Sequence, residues 1–157
     1  MKVKSLMMDP VTQMPIVILR DSAGEAILPI WVGLFEANAI ALQLENITTP
    51  RPMTHDLLRS ILSTVAAQVE RIVITDLKEN TFYASLHLSL DGEPVQVDSR
   101  PSDAIALALR TDSPIFANDT VIDKAKSNEL RDDPEESERL RTWLEKLDPN
   151  ELGQYEN

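Results

Sequence analysis

The chain has 157 residues, 43% of them hydrophobic, and it carries 26 Asp and Glu against 15 Lys and Arg, a formal net charge of −11. This length suffices for one ordinary domain with a sizeable core. The acidity argues against nonspecific nucleic-acid binding, because affinity for a phosphate backbone comes largely from Lys and Arg. The absence of cysteine excludes disulfides and thiolate metal sites. No apolar run approaches membrane-spanning length, so we expect a soluble, cytoplasmic protein.

The first third of the chain predicts three strands followed by a helix. Apolar runs separated by turn residues place the strands at 3–8, 15–20 and 26–32, and the helix at 34–45. A second, amphipathic helix follows, because apolar residues recur at three- and four-residue spacing after residue 56. Thr54 suits the N-cap of this helix.

The same pattern then recurs. Strands are expected at 69–77, 81–90 and 95–98, a helix at 101–110, a short strand at 115–117 and a short helix at 119–126. A shift of 65 residues aligns the Ala-Ile-Ala-Leu sequences at 39–42 and 104–107, which favours duplicated three-strand-plus-helix units joined by a connecting helix. Chance matching of common helix formers is the alternative. Both helices are apolar all round, so we expect them between sheet layers or at a subunit contact.

The segment 127–157 is charged and sparsely apolar. Pro134 suits the first position of a helix, and four apolar side chains then fall on one stripe before Asp148-Pro149 ends it: Leu140, Trp143, Leu144 and Leu147. We therefore expect a domain over 1–126 and an acidic C-terminal amphipathic helix and tail over 127–157. This helix would dock on its own domain or on a neighbouring subunit.

The densest polar segment is 98–103, Asp-Ser-Arg-Pro-Ser-Asp, which runs directly into the helix at 101. Pro101 suits the first helical position, where its missing N–H costs nothing. Charged groups at such a strand-to-helix corner reach solvent and ligands. A purely structural interpretation is also open, because Arg100 and Asp103 form an ordinary (i, i+3) pair and Asp103 favours the positive helix end.

Three blocks, in this order, resemble the bifunctional nuclease family: 28–33 with 36–40, then 51–58, then 98–108. The resemblance covers roughly residues 1–126, and the short sequences at 143–145 and 153–155 are similar to the tail of some bacterial members. It implies an α+β fold with mostly antiparallel sheet and a homo-oligomer. It also implies hydrolysis of RNA and DNA, the activity credited to plant members of the family.

Phosphodiester hydrolysis needs an activated water, stabilisation of charge on the phosphoryl oxygens and a proton for the leaving oxygen. Asp98 and Asp103 are the candidate ligands of Mg²⁺ or another divalent cation, since Mg²⁺ takes one or two carboxylates and keeps several waters. Arg100 is the candidate phosphate clamp because its planar fork of donors suits phosphate oxygens. We therefore include Asp98, Arg100 and Asp103 among the catalytic candidates.

His55 is the candidate general acid or base, because histidine titrates nearest neutral pH. Asp56 joins it as a catalytic candidate, although neighbours on a helix do not face each other. The alternative is that His55 packs against the preceding loop while Asp56 complements the helix dipole. Glu36 either adds a carboxylate to a shared cleft or stabilises a helix end. We expect Trp31 in the core or an interface, and His87 in solvent.

The leading hypothesis is a nuclease that cleaves RNA or DNA with the help of a divalent cation. Two alternatives remain open. One is a ligand-binding or regulatory module without enzymatic activity, in which the Arg100 corner holds an anion. The other is a structural oligomer with Trp31 and the C-terminal helix in its interface. The sequence has no phosphate-binding loop, glycine-rich dinucleotide fingerprint or nucleophile elbow, which excludes those enzyme classes.

Overall fold

The computed structural model describes residues 1–10, 12–24 and 26–126, together with Thr142. The predicted C-terminal helix and tail otherwise lie outside the described residues, so the domain boundary after residue 126 stays a prediction. The described elements, in chain order, are β1 (Lys2–Met8), β2 (Pro15–Arg20), β3 (Ile27–Trp31), α1 (Leu34–Leu44), α2 (Thr54–Thr64), β4 (Gln68–Lys78), β5 (Thr81–Leu90), β6 (Glu93–Ser99), α3 (Pro101–Thr111), β7 (Ile115–Ala117) and α4 (Asp119–Lys126).

Two sheets and the helices give the α+β fold that the sequence predicts. The first sheet has the order β1-β2-β3 and is antiparallel throughout. The second has the order β6-β5-β4-β7, in which β7 alone pairs in parallel, with β4. Each three-stranded meander leads into a helix, α1 after β3 and α3 after β6, and α2 connects the two units. The arrangement is therefore the predicted one of three strands and a helix, twice over.

The two units align at a different offset from the one that the sequence favours. α1 begins at residue 34 and α3 at residue 101, so equivalent helix positions are 67 residues apart rather than 65. Alternating alanines align at an offset of 65 and also at an offset of 67. The sequence match therefore does not distinguish the two offsets, whereas the residues at which the helices begin do. At the structural offset, Glu36 and Asp103 hold the same position, the third residue of an 11-residue helix.

α3 lies at the centre of the core. Eight of its eleven residues are buried, and its apolar side chains join those of β2, β3, β4 and β5 in one cluster. α1 packs against α3 and β2 and buries Ala37, Ala39 and Ile40. The expectation of enclosure is therefore confirmed for α3, whereas the first turn of α1 is exposed in this chain.

Several element boundaries differ from the sequence prediction by one or two residues, and two of these differences have a clear cause. The N-cap of α2 is Met53 rather than Thr54, because the carboxylate of Asp56 reaches back and accepts the Met53 N–H at 2.9 Å. β6 extends over 93–99 instead of 95–98, since it pairs with β5 along its whole length. None of the described helices is long and apolar enough to cross a membrane.

Candidate functional site

The N-terminal ends of three helices meet at one corner of the molecule. Glu36 in the first turn of α1 contacts Arg100, the N-cap of α3. His55 in the first turn of α2 contacts Asp103 in the first turn of α3. Each helix N-terminus carries a partial positive charge of roughly +0.5. Their convergence favours an anion at this corner.

Arg100 is held by two carboxylates yet remains open to solvent. Its Nε donates to Oδ2 of Asp103 at 2.7 Å and its Nη2 to Oδ1 at 3.1 Å. Its Nη1 lies 3.0 Å from Oε1 of Glu36, and the side chain is 64% exposed. A guanidinium has five N–H donors, so these three contacts leave two of them for a ligand.

Asp103 links Arg100 to His55. Burial raises the pKa of this carboxyl, but hydrogen bonds from Arg100 and His55 together outweigh it, so the pKa of Asp103 lies below its ordinary value. Asp103 is therefore ionised at neutral pH. Its oxygens offer about four acceptor positions, and Arg100 and His55 occupy three of them.

His55 is placed as a base would be. Its Nε2 lies 3.0 Å from Oδ1 of Asp103, and its side chain is 12% exposed. Ionised Asp103 only accepts hydrogen bonds, so Nε2 carries the proton and Nδ1 of the neutral ring carries the lone pair. Nδ1 makes no hydrogen bond to the described residues, and it is available to accept a proton. A carboxylate that fixes the histidine tautomer is a recurring feature of hydrolases.

Asp56 lies beside the corner but belongs to a separate ion pair. It accepts the Nε of Arg110 at 2.6 Å, and this hydrogen bond, followed by the one from Met53 N–H, lowers its pKa. Arg110 is 3% exposed and also donates to the carbonyl of Ala106 at 2.8 Å. Sequence reasoning missed Arg110. The one feature of the sequence that could have indicated its role is a charged side chain at the end of an apolar helix. The pair attaches α2 to α3.

Asp98 does not join the corner. It pairs with Ser85 across β5 and β6, whereas Leu86, the partner of the neighbouring Val97, belongs to the core cluster that contains α3. Because side chains alternate along a strand, Asp98 lies on the opposite face of the sheet. It is exposed and makes no hydrogen bond or ion pair within the described part of the chain.

The predicted cation ligands are therefore not assembled. Asp103 is already occupied, Asp98 lies on the other face of the sheet, and the described residues contain no group of three or more acidic or histidine side chains that could hold a metal ion. The donors present do not fit a shared site for Mg²⁺. Assistance by a divalent cation stays a prediction.

Two further sequence candidates have local partners. Trp31 packs against Ile16 and Ile18, and its Nε1 donates to Asp9 at 2.9 Å. His87 is partly exposed, and its Nδ1 accepts from Arg71 at 3.1 Å while its Nε2 lies 3.2 Å from Oγ of Ser85. The hydrogen bonds of His87 do not involve the corner residues.

The fold and the corner together define an α+β protein with a histidine, an arginine and two carboxylates joined at three helix ends. Comparison with known protein families identifies the family to which the chain belongs. The bifunctional nuclease domain matches residues 17–129, and the chain belongs to this family.

Individual relatives agree with that membership. An uncharacterized protein of Mycobacterium tuberculosis is 34% identical over 149 residues, which is 88% of each chain. Bifunctional nuclease 1 of Oryza sativa subsp. indica is 29% identical over 106 residues, 66% of this chain and 32% of the rice protein. Bifunctional nuclease 1 of Arabidopsis thaliana is 29% identical over 108 residues, 66% of this chain and 33% of that protein. The match thus spans about a third of these plant proteins.

Proposed function

We propose that this protein is a nuclease that hydrolyses the phosphodiester bonds of RNA or DNA. Membership of the bifunctional nuclease family supports the proposal. The observation that carries it is the continuous set of contacts from Glu36 through Arg100 and Asp103 to His55. This set combines an exposed guanidinium with spare donors and a histidine whose Nδ1 makes no hydrogen bond to the described residues.

Arg100 binds the phosphate. Glu36, Arg100 and Asp103 together carry one excess negative charge, and three helix N-termini at roughly +0.5 each offset it. The two remaining N–H donors of Arg100 then hydrogen-bond to non-bridging phosphate oxygens. These bonds strengthen as charge builds up on the phosphoryl oxygens in the transition state, which is how a fixed arginine accelerates the reaction.

His55 moves the proton. Its Nδ1 accepts a proton from the attacking water, and the resulting imidazolium returns one to the leaving oxygen. Asp103 keeps Nε2 protonated and stabilises the imidazolium, since both groups share a 3.0 Å contact. Asp56 holds the start of α2 against α3 through Arg110 and takes no part in proton transfer.

Mg²⁺ would add Lewis-acid stabilisation of the phosphoryl oxygens if it binds. None of the steps above depends on it. Cleavage by protein stripped with EDTA and then titrated with MgCl₂ measures whether a cation contributes.

The test is cleavage of fluorescently labelled single-stranded RNA and DNA by purified protein. We expect His55→Gln to lower the rate by about 100-fold or more, the usual contribution of general acid–base catalysis. His87→Gln is the matched control, because His87 lies on the other face of the second sheet. Equal rates for the two variants would assign the cleavage to a contaminant.

The same corner supports a second candidate function, an anion-binding module without turnover. The converging helix ends and the spare donors of Arg100 suit a small anion regardless of catalysis. Wild-type protein that cleaves neither strand, with or without Mg²⁺, yet binds inorganic phosphate through Arg100 would favour this function over a nuclease.

Self-association is part of the proposal, as the family resemblance implies. Leu57 and Ile61 of α2 and its C-cap Val65 are each about half exposed, and this apolar stripe is open to a second copy. Light scattering of the wild type and of Leu57→Ser/Ile61→Ser measures the molar mass. A monomeric wild type would remove self-association from the proposal.

A further inference from the structure

An exposed aromatic ring lies beside the corner. Phe35 is 86% exposed, the largest fraction among the large hydrophobic side chains of the described residues. It directly precedes Glu36, whose carboxylate contacts Arg100. Leu34 next to it is also exposed, as is Met53 at the start of α2. Apolar side chains thus flank the charged groups on two of the three helices.

The architecture does not require this ring. Phe35, His55 and Ser102 are each the second residue of their helices. His55 reaches into the corner and Ser102 is buried, whereas Phe35 extends into solvent. Leaving a phenylalanine side chain in water forgoes about 2 kcal/mol of burial free energy. An exposed ring next to the charged groups of this corner is therefore a surface for a ligand.

We propose that Phe35 is a stacking platform for an unpaired base of a single-stranded nucleic acid whose phosphate is bound by Arg100. The inference rests on the proposed function and names its substrate class. A nucleotide has the matching chemistry, because its phosphate takes the spare donors of Arg100 and its base offers a flat apolar face. Every base has such a face, so this contact selects single strands without selecting a sequence.

A duplex cannot make the same contact. Its bases are stacked on each other and paired, so their faces are hidden from Phe35 unless a base is extruded, which costs a few kcal/mol. A second copy of this chain is the competing occupant. An apolar protein surface would leave the remaining N–H donors of Arg100 unpaired as it covered them, and unpaired donors are unfavourable. The uncommitted N–H donors of Arg100 therefore favour the nucleic acid over an apolar protein surface.

The test is the affinity for a short fluorescein-labelled oligodeoxythymidylate, measured by fluorescence anisotropy in EDTA, with strand integrity checked on a gel. We expect Phe35→Ala to weaken binding by about 5- to 150-fold, the range for loss of one base–aromatic stack. Phe35→Trp should retain the affinity, because indole also stacks. Phe116→Ala is the matched control, since Phe116 is a half-exposed phenylalanine on β7 and should not affect binding.

The outcomes separate this inference from the proposed function. Unchanged affinity of Phe35→Ala overturns the inference, and if Arg100→Gln weakens binding in the same assay, the nuclease proposal stands. No binding by the wild type, or no effect of either variant, overturns both. A lower molar mass of Phe35→Ala in light scattering also overturns the inference, because Phe35 would then lie between two copies of the chain.

Discussion

Arg100 and Arg110 lie at opposite ends of α3. Both form ion pairs with carboxylates, but the two arginines differ in their exposure to solvent. Arg100 pairs with Glu36 and Asp103 and is 64% exposed, whereas Arg110 pairs with Asp56 and is 3% exposed. Each carboxylate is the third residue of its helix. The pairing alone therefore does not identify a functional site; solvent access and uncommitted donors do.

The energetics of the two pairs differ accordingly. A buried arginine requires a partner, because an unpaired buried charge is strongly destabilising. An exposed ion pair contributes little to stability, since water solvates both charges and ordering the side chains costs entropy. Stability thus explains the Arg110 pair well. The two carboxylates on Arg100 are better explained by the need to hold a solvent-facing guanidinium in one position.

Loss of the carboxylate that pairs with Arg110 should give the largest effect on stability. We expect Asp56→Ala to lower the free energy of unfolding by about 3 kcal/mol, because Arg110, which is 3% exposed, would be left as an unpaired buried charge. Urea denaturation measures the change. Glu36→Ala is the matched control and should lose less than about 1 kcal/mol, because Arg100 is 64% exposed. Equal losses would show that the two pairs are both structural.

For the rate of cleavage we expect the opposite order, with a larger effect at Arg100 than at Arg110. Arg100→Lys keeps the charge but removes the planar fork, so the turnover rate should fall by about 100-fold, as when one transition-state donor is lost. Single-turnover cleavage of labelled RNA measures the rate. Arg71→Lys, which changes an arginine on the other face of the second sheet, should cleave at the wild-type rate. An active Arg100→Lys variant would contradict the phosphate-clamp role.

Acid should weaken the contribution of Asp56 to stability. Its pKa is lowered in the folded protein by Arg110 and Met53, so its contribution is complete above its unfolded pKa of about 4 and is lost as the pH falls through the lower, folded value. Urea titrations of the wild type and Asp56→Asn across this range should converge below about pH 4. If the difference in the free energy of unfolding between the two proteins stayed constant with pH, the stabilising effect of Asp56 would not come from its ion pair with Arg110.

The smallest effect is expected at Gly33, the N-cap of α1. A Cβ at this position would overlap with Oε2 of Glu36, so Gly33→Ala should displace the carboxylate from Arg100 while keeping every charge. We expect a reduction in cleavage of up to about tenfold, or 1.4 kcal/mol. In a Glu36→Ala background the same substitution should add nothing to the loss. An additive loss would show that Gly33 acts independently of Glu36.

Much of the fold was predictable because its signals are local. Pro101 correctly marked the first position of α3, and apolar runs between turn residues located all seven described strands. The repeat offset was wrong by two residues, since alternating alanines match at more than one shift. The Thr54 N-cap was wrong because the capping carboxylate came from Asp56, inside the helix.

The corner was harder to predict because it depends on contacts between distant residues. The Arg100–Asp103 pair follows from (i, i+3) spacing, but His55 reaches Asp103 only because α2 packs against α3, over 48 residues of sequence separation. Strand alternation already placed Asp98 on the opposite side of β6 from Val97, and its role as a cation ligand stays a prediction. The functional roles of these residues stay predictions until the variants are measured.

α2 has one more consequence for this corner. This helix contains no fully buried residue in the described structure. Apart from partly buried Leu58 and Leu62, it is attached to α3 by polar contacts: the Arg110–Asp56 pair, the His55–Asp103 contact and the hydrogen bond from Arg59 to the Arg110 carbonyl. Helices with few buried contacts open locally at a lower free energy than the core. His55 travels with α2, so hydrogen exchange of the α2 amides would report the fraction of molecules in which the corner is complete. The observed turnover would scale with that fraction.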